Sequence, residues 1–356
     1  QWVTGLRHNG TGVDGFRTNV SLYNLRQDRD SVVTLRLYGP QGQLLKELNQ
    51  KSLAPLGYEQ HSLMSLFGLG EPPGVAALRL LLGPDSDVGV NVSVVDNRTG
   101  DPSLQTNELL PSGSVLVIPG VARLAGASGS QWRSSLVLTN PDSQGRSFTV
   151  KFIPRNAPAL EKPVALNSWQ TVAIQDVVSW IAEPYQVPDN AGVLLIFPSG
   201  GVFPAVSART YNLAADGGTY GQTLKAFHVG NSAGGSTGYR RLYLTGMASE
   251  DTARTNLGFV HVEGDTVNFK VWFYDEGGNL LNPNNRPYTL AVSRTNPWDQ
   301  DKLENRFRNF FGVSLPASRR VISAIMEVEG GVGQAYASVV DNKTNDPIFI
   351  PAVAAP

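Results

Sequence analysis

The chain has 356 residues, with 29 Lys+Arg against 30 Asp+Glu, a net charge of -1 and no cysteine. That balance provides no basic face for nucleic acid or an anionic membrane. The absence of cysteine excludes disulfides, thiol catalysis and Cys-ligated metals. No apolar run reaches the ~18 residues of a membrane span, while 37 Gly and 23 Pro exceed the usual combined share of about 12% and imply many turns.

Taken in order, the predicted elements repeat. An opening strand, Val3-Thr4-Gly5-Leu6, returns as Ile118-Pro119-Gly120-Val121 and as Leu244-Thr245-Gly246-Met247. After it come Arg17-Thr18-Asn19, Arg133-Ser134-Ser135 and Arg254-Thr255-Asn256, at steps of 116 (133 − 17) and 121 (254 − 133) residues. Each leads through a short strand and a polar turn into a strand of period two. Val33, Leu35 and Leu37 alternate with Thr34 and Arg36. Phe148, Val150 and Phe152 alternate with Thr149 and Lys151, and Val267, Phe269, Val271 and Phe273 with Asn268, Lys270 and Trp272. Such alternation predicts hairpins with one core face and one wet face.

A short amphipathic crossover helix follows each time. It is clearest where Leu303, Phe307, Phe310 and Phe311 share one helical face, with Asp299 and Asp301 before it and Gly312 as its stop. Its counterparts are Leu63 to Phe67 and Val177 to Ile181. A last hairpin closes each unit. The expected fold is therefore all-β: three tandem immunoglobulin-like β-sandwich modules, each with one short crossover helix, at residues 1–112, 113–228 and 239–348. Linkers are expected near Ser103–Gly113 and Ala226–Gly238, the second Gly/Ser-rich and able to bend.

The C-terminus, Phe349-Ile350-Pro351-Ala352-Val353, resembles the opening strand Val117-Ile118-Pro119-Gly120-Val121. Three readings of this tail (349–356) stand open. It completes its own module's sheet; or a longer tandem protein was cut there; or it is donated to the exposed sheet edge of a neighbouring molecule. The last reading makes Trp2, Val3, Leu6, Phe349, Ile350 and Val353 assembly residues and gives an open head-to-tail filament. The start at Gln1 in place of Met is read as processing or cutting, with no signal peptide left.

Chemistry is sparse. The loop Asp96-Asn97-Arg98-Thr99-Gly100-Asp101-Pro102 recurs as Asp341-Asn342-Lys343-Thr344-Asn345-Asp346-Pro347. Its carboxylates Asp96, Asp101, Asp341 and Asp346 are candidate Ca²⁺ ligands, although Asx and Gly before Pro are also ordinary turn chemistry. The middle unit has Tyr211-Asn212 there, which favours the turn. His8, His61, His228 and His261 lie apart in no zinc pattern. No G-x-S-x-G, P-loop or G-x-G-x-x-G occurs, so no enzyme and no organic cofactor are expected. Arg17, Arg133 and Arg254 read as loop clamps or a repeated ligand position. Trp272 and Tyr274 alternate with core residues, so they should face solvent, where they suit stacking on a polysaccharide. Sequons begin at Asn9, Asn19, Asn91, Asn97 and Asn342 and matter only in a glycosylating source.

The phrases Ile118-Pro-Gly-Val-Ala122, Trp132-Arg-Ser-Ser-Leu-Val-Leu-Thr-Asn-Pro141, Ser207-Ala-Arg-Thr-Tyr-Asn212 and Gly218-Thr-Tyr-Gly-Gln222 resemble secreted bacterial tandem β-sandwich modules of large surface proteins, modules without an assigned activity. The likeness is strongest in the middle unit; the outer two have Asp96-Asn97 and Asp341-Asn342 in place of Tyr-Asn. It implies an extracellular or cell-surface location and a structural or adhesive role, with self-association or neighbouring surface proteins as partners. It carries no catalytic residues over. The alternatives are a carbohydrate-binding array and the accessory domains of a larger enzyme.

Overall fold

The structure, a computed structural model, describes residues 1–10, 12–106, 113–126, 129–183, 190–235, 237–315 and 319–355, the side chains of 319 and 320 apart. It is an all-β, sandwich-like arrangement of antiparallel sheets. The N-terminal stretch holds β1 (Trp2–His8), β2 (Phe16–Asn24), β3 (Ser31–Tyr38), β4 (Leu44–Leu53), β5 (Tyr58–Ser62), β6 (Gly74–Leu82), β7 (Val88–Asp96) and β8 (Pro102–Thr106). They form two four-stranded sheets, β1-β6-β3-β4 and β5-β2-β7-β8.

The middle stretch holds β9 (Leu116–Ala125), β10 (Gln131–Thr139), β11 (Arg146–Pro154), β12 (Leu160–Leu166), β13 (Thr171–Ile174), β14 (Asn190–Phe197), β15 (Ala205–Leu213) and β16 (Thr219–Leu224). Here β9 pairs with β14 along most of its length and with β10 at its end, so one strand joins the two layers. The C-terminal stretch holds β17 (Ala233–Gly234), β18 (Arg241–Ser249), β19 (Ala253–Tyr274), β20 (Tyr288–Ser293), β21 (Trp298–Lys302), β22 (Arg319–Asp341), β23 (Pro347–Pro351) and β24 (Val353–Ala355). The long strands β19 and β22 run antiparallel to each other through both layers.

The three expected helices form as α1 (Leu63–Phe67), α2 (Val177–Ala182) and α3 (Leu303–Phe311). Ser62 and Asp176 cap the first two through side-chain oxygens, and Gly312 ends α3 at φ 71°. The alternating strands bury their expected faces: Leu35 on β3, Val150 on β11 and Phe269 on β19 all lie in the core. Gly5, Gly120 and Gly246, the repeated glycine of the opening strand, have φ of 81°, 74° and 84°. The strand register shifts at or beside each of them, the mark of a β-bulge that only glycine enters cheaply.

Core residues fall into three clusters, one per stretch. Two further clusters join the stretches. Trp2 and Tyr38 pack on Trp169 and Ala205, with the Trp2 and Trp169 rings stacked at 5.7 Å. Val117, Val193 and Phe227 pack on Val260, Val262, Trp298 and Tyr336. The segment expected to bend is therefore part of the fold. Ala233 is fully buried and pairs with Gly333, and at the buried Gly234 an added Cβ would collide with the Gly331 carbonyl oxygen, so this glycine serves close packing. Of the other expected linker, Ser103 to Thr106 belongs to β8, and 107–112 lies outside the described residues.

Trp2→Ala removes a ring buried between two stretches. It is expected to cost roughly 3–5 kcal/mol and to let the N-terminal sheets unfold ahead of the rest, seen as a split calorimetric transition; an unchanged single transition contradicts the joint.

Candidate functional site

The strands β8, β16 and β23 pair with β7, β15 and β22, the long strands that precede them, and all three line one cleft. Trp2, Ala205, Ser207 and Leu116 complete its walls around a cavity of about 400 Å³. Polar side chains stitch across it. Ser207 Oγ donates to Gln105 Oε1 at 2.9 Å, and Ser338 Oγ donates to Gln222 Oε1 at 3.1 Å.

At one end of this meeting place sits a cluster of buried charge. Arg209 Nη2 donates to Asp101 Oδ2 at 2.6 Å, and the Gly221 amide donates to the same oxygen at 2.8 Å. Arg209 Nη1 donates to Thr219 Oγ1, whose hydroxyl and amide both donate to Asp96 Oδ2. Asp96 and Asp101 come from the N-terminal stretch and Arg209 from the middle one, so the cluster rivets two stretches together. Burial raises the Asp101 carboxyl despite Arg209 beside it. Asp346, from the C-terminal stretch, is pushed up to about 6, first by burial and then by the negative charge of Asp101. The site thus brings carboxylates from the two matching loops to one arginine.

Three of the four candidate Ca²⁺ carboxylates, Asp96, Asp101 and Asp341, hold other partners. Asp96 Oδ1 accepts from the amides of Arg98 and Thr99, and Asp341 Oδ1 from those of Lys343 and Thr344. Their oxygens close Asx turns, and Asp101 faces a guanidinium. Among the described residues, no three carboxylates or histidines gather as a metal set.

Two of the repeated arginines, Arg17 and Arg254, hold the Asx loops. Arg17 Nη1 donates to Asn97 Oδ1 at 2.9 Å, and Arg254 donates to Asn342 Oδ1 and Asn345 Oδ1 at 2.6 and 3.0 Å. Arg133, lacking that loop, donates to the Trp132 carbonyl and lies 3.6 Å from Asp176.

The assembly residues are also placed within the chain. Trp2, Val3 and Leu6 are buried in β1 against β6. Phe349 stacks on Tyr336 at 4.8 Å, and Ile350 pairs with Ala337 in β23. Val353 pairs with Tyr243, seating β24 on the outer edge of β18. The tail through Ala355 therefore pairs within its own sheet; Pro356 is outside the described residues. Trp272 and Tyr274 are half-buried on the outer face of β19, Trp272 opposite Ile325 and Tyr274 opposite Ser323. Sequence reasoning missed Arg209, whose partners lie 108 residues away in Asp101 and 10 away in Thr219.

No family model matches the chain, and no curated protein matches it. Among solved structures, 33% of the chain is similar to 94% of the chain described as Thermotoga maritima 1070, at 14% identity and a TM-score of 0.23. A biofilm associated protein, its BSP domain, is similar at 10% identity and a TM-score of 0.16, over 100% of this chain and 96% of that one. A structure of infectious bursal disease virus, Gt strain, is similar at 12% identity and a TM-score of 0.15, over 99% and 79%. Overlaps this loose carry no function across.

Asp346 supplies a pH test. Its folded value lies above the ordinary 3.8. Between the two values the folded chain binds a proton that the unfolded chain has released, so at this group stability rises as pH falls. Asp346→Asn is expected to raise the thermal midpoint at about pH 7.5, with the gain shrinking towards about pH 4.5. Equal midpoints at the higher pH would sink the repulsion. Arg209→Ala strands Asp101 in a buried site and should cost roughly 3–5 kcal/mol in denaturant unfolding.

Proposed function

We propose that the chain is a structural or adhesive array of three immunoglobulin-like β-sandwich modules acting outside the cell. The observation that carries this reading is the threefold recurrence of one opening bulge, with the first two bulge-bearing stretches each joined to the following one through a buried face. The clamp of arginine on Asx loop, present in the first and third modules, supports it further. So does the use of the buried charges to rivet modules together rather than to face a substrate. In this chain β24 is paired with β18, so the assembly we propose runs through module faces. A module pile of this kind sets distance and direction, as a spacer or surface-layer element does.

A second reading, carbohydrate binding, rests on Trp272, Tyr274 and Tyr243 on one outer face, beside a concavity of about 740 Å³. Aromatic faces of this sort suit pyranose rings.

The location is tested by protease shaving of intact source cells followed by fractionation. Cleavage at the cell surface, or recovery from the medium, is the expected outcome. A chain protected inside the cell and recovered with the cytosol overturns the proposal. Retention on a polysaccharide column that is lost in Trp272→Ala would favour the second reading.

A further inference from the structure

We infer, resting on the three-module reading, that the first and third modules carry the two halves of one interface, and that a second copy docks head to tail through them. Matching positions in the three modules lead to it. Three residues before the bulge glycine stand Trp2, Val117 and Tyr243. The first is covered by Trp169 of the next module, and the second by the next module's Trp298 and Tyr336. Tyr243 is left 37% exposed.

The residue bridged to that position behaves in the same way. Phe227 bridges Val117 and is buried under the third module. Val353 bridges Tyr243 and is 65% exposed. Val321, Ile325 and Tyr274 continue this face along the concavity of about 740 Å³. The third module thus presents, open, the seat that its two predecessors fill.

The complementary half is open on the first module. Six residues after the repeated arginine stand Tyr23, Thr139 and Val260, paired across their sheet with Tyr58, Thr171 and Trp298. In the second module, Thr139 Oγ1 meets Thr4 Oγ1 of the first at 2.5 Å, and the Thr171 amide donates to Pro40 O. In the third module, Trp298 packs under Arg155 of the second, the guanidinium 4.7 Å from its ring. In the first module the same place holds Tyr58 at 63% exposure, with Leu25 at 53% where Pro141 and Val262 are buried.

Both faces expose aromatic and aliphatic side chains, the tail face beside Asp275 and Glu276, and each matches a side of an interface that the chain already makes twice. Exposed apolar patches of this kind mark interaction sites. Because the two faces differ, the contact is heterologous and propagates unless its rotation closes a ring.

The test is light scattering behind size exclusion over a concentration series, with the whole chain. Mass rising in steps of one chain is expected. Tyr243→Ser with Val353→Asp blocks the tail face, and Leu25→Ser with Tyr58→Ser blocks the head face. Each pair should leave a monomer, and mixing the two blocked chains should give a dimer and nothing larger. A wild-type monomer at every concentration overturns the inference, as does assembly that ignores both variants. Glycan binding at the Tyr243 face by a chain that stays monomeric overturns it in favour of a sugar site. Solution scattering from either blocked monomer reads the three-module arrangement separately, so its failure is distinguishable from a failure to dock.

Discussion

One constraint organises the molecule: the N-terminal and middle stretches each leave an apolar sheet face that the following stretch of chain covers. Trp2 and Tyr38 cannot both meet water cheaply, and Trp169 covers them. Val117, Val193 and Phe227 repeat the problem, and Trp298 with Tyr336 repeats the answer. Covering such rings is favourable at about 25 cal/mol per Å² of apolar area removed from water. The apparent linker is partly built into the fold: Ala233 pairs into the C-terminal sheet, and its neighbouring glycine lets two backbones approach.

The joints are also polar where geometry leaves no choice. Tyr336 is fully buried, accepts from Trp298 Nε1 at 2.7 Å and donates to Gln300 Oε1 at 2.6 Å. Burial without those partners would leave its hydroxyl unsatisfied. The Arg209 cluster is a harder case. Asp101 and Arg209 are both nearly buried, and Asp346 adds a further negative charge that Arg209 must also offset. Such a cluster fixes which loops meet more than it adds stability. Arg209 Nε, with no partner among the described residues, shows what that arrangement costs.

A single geometric device makes the stacking possible. The bulge at Gly5 lets the opening strand approach Ser207 and Val137 of the following stretch. At Gly120 the neighbour is the Tyr336 hydroxyl. A side chain at Gly5 would meet Ser207 at 2.6 Å, so the glycine serves the joint as well as the bend.

Alternation in Phe148 to Phe152 and Val267 to Phe273, the face of α3, and the recurring Arg and Gly motifs were legible in the sequence because they are local. A period of two or 3.6 residues reports which side of an element meets the core, whatever that core is made of. The turn chemistry of Asp96 and Asp341 was legible for the same reason, since their carboxylates serve amides two and three residues on. The rest depended on which faces meet. Nothing near Arg209 in sequence marks it as the partner of Asp101, and nothing near Trp2 marks Trp169. Thr171 and Trp298 hold matching places with unlike side chains, so the contact each makes with the preceding stretch shows only in register and packing. Sequence by itself determined the strands, the helices and the repeat, because those follow from neighbours along the chain. Only the tertiary structure decided the joints, the fate of the tail and the meeting of the charges, because they depend on surfaces brought together from more than 100 residues apart.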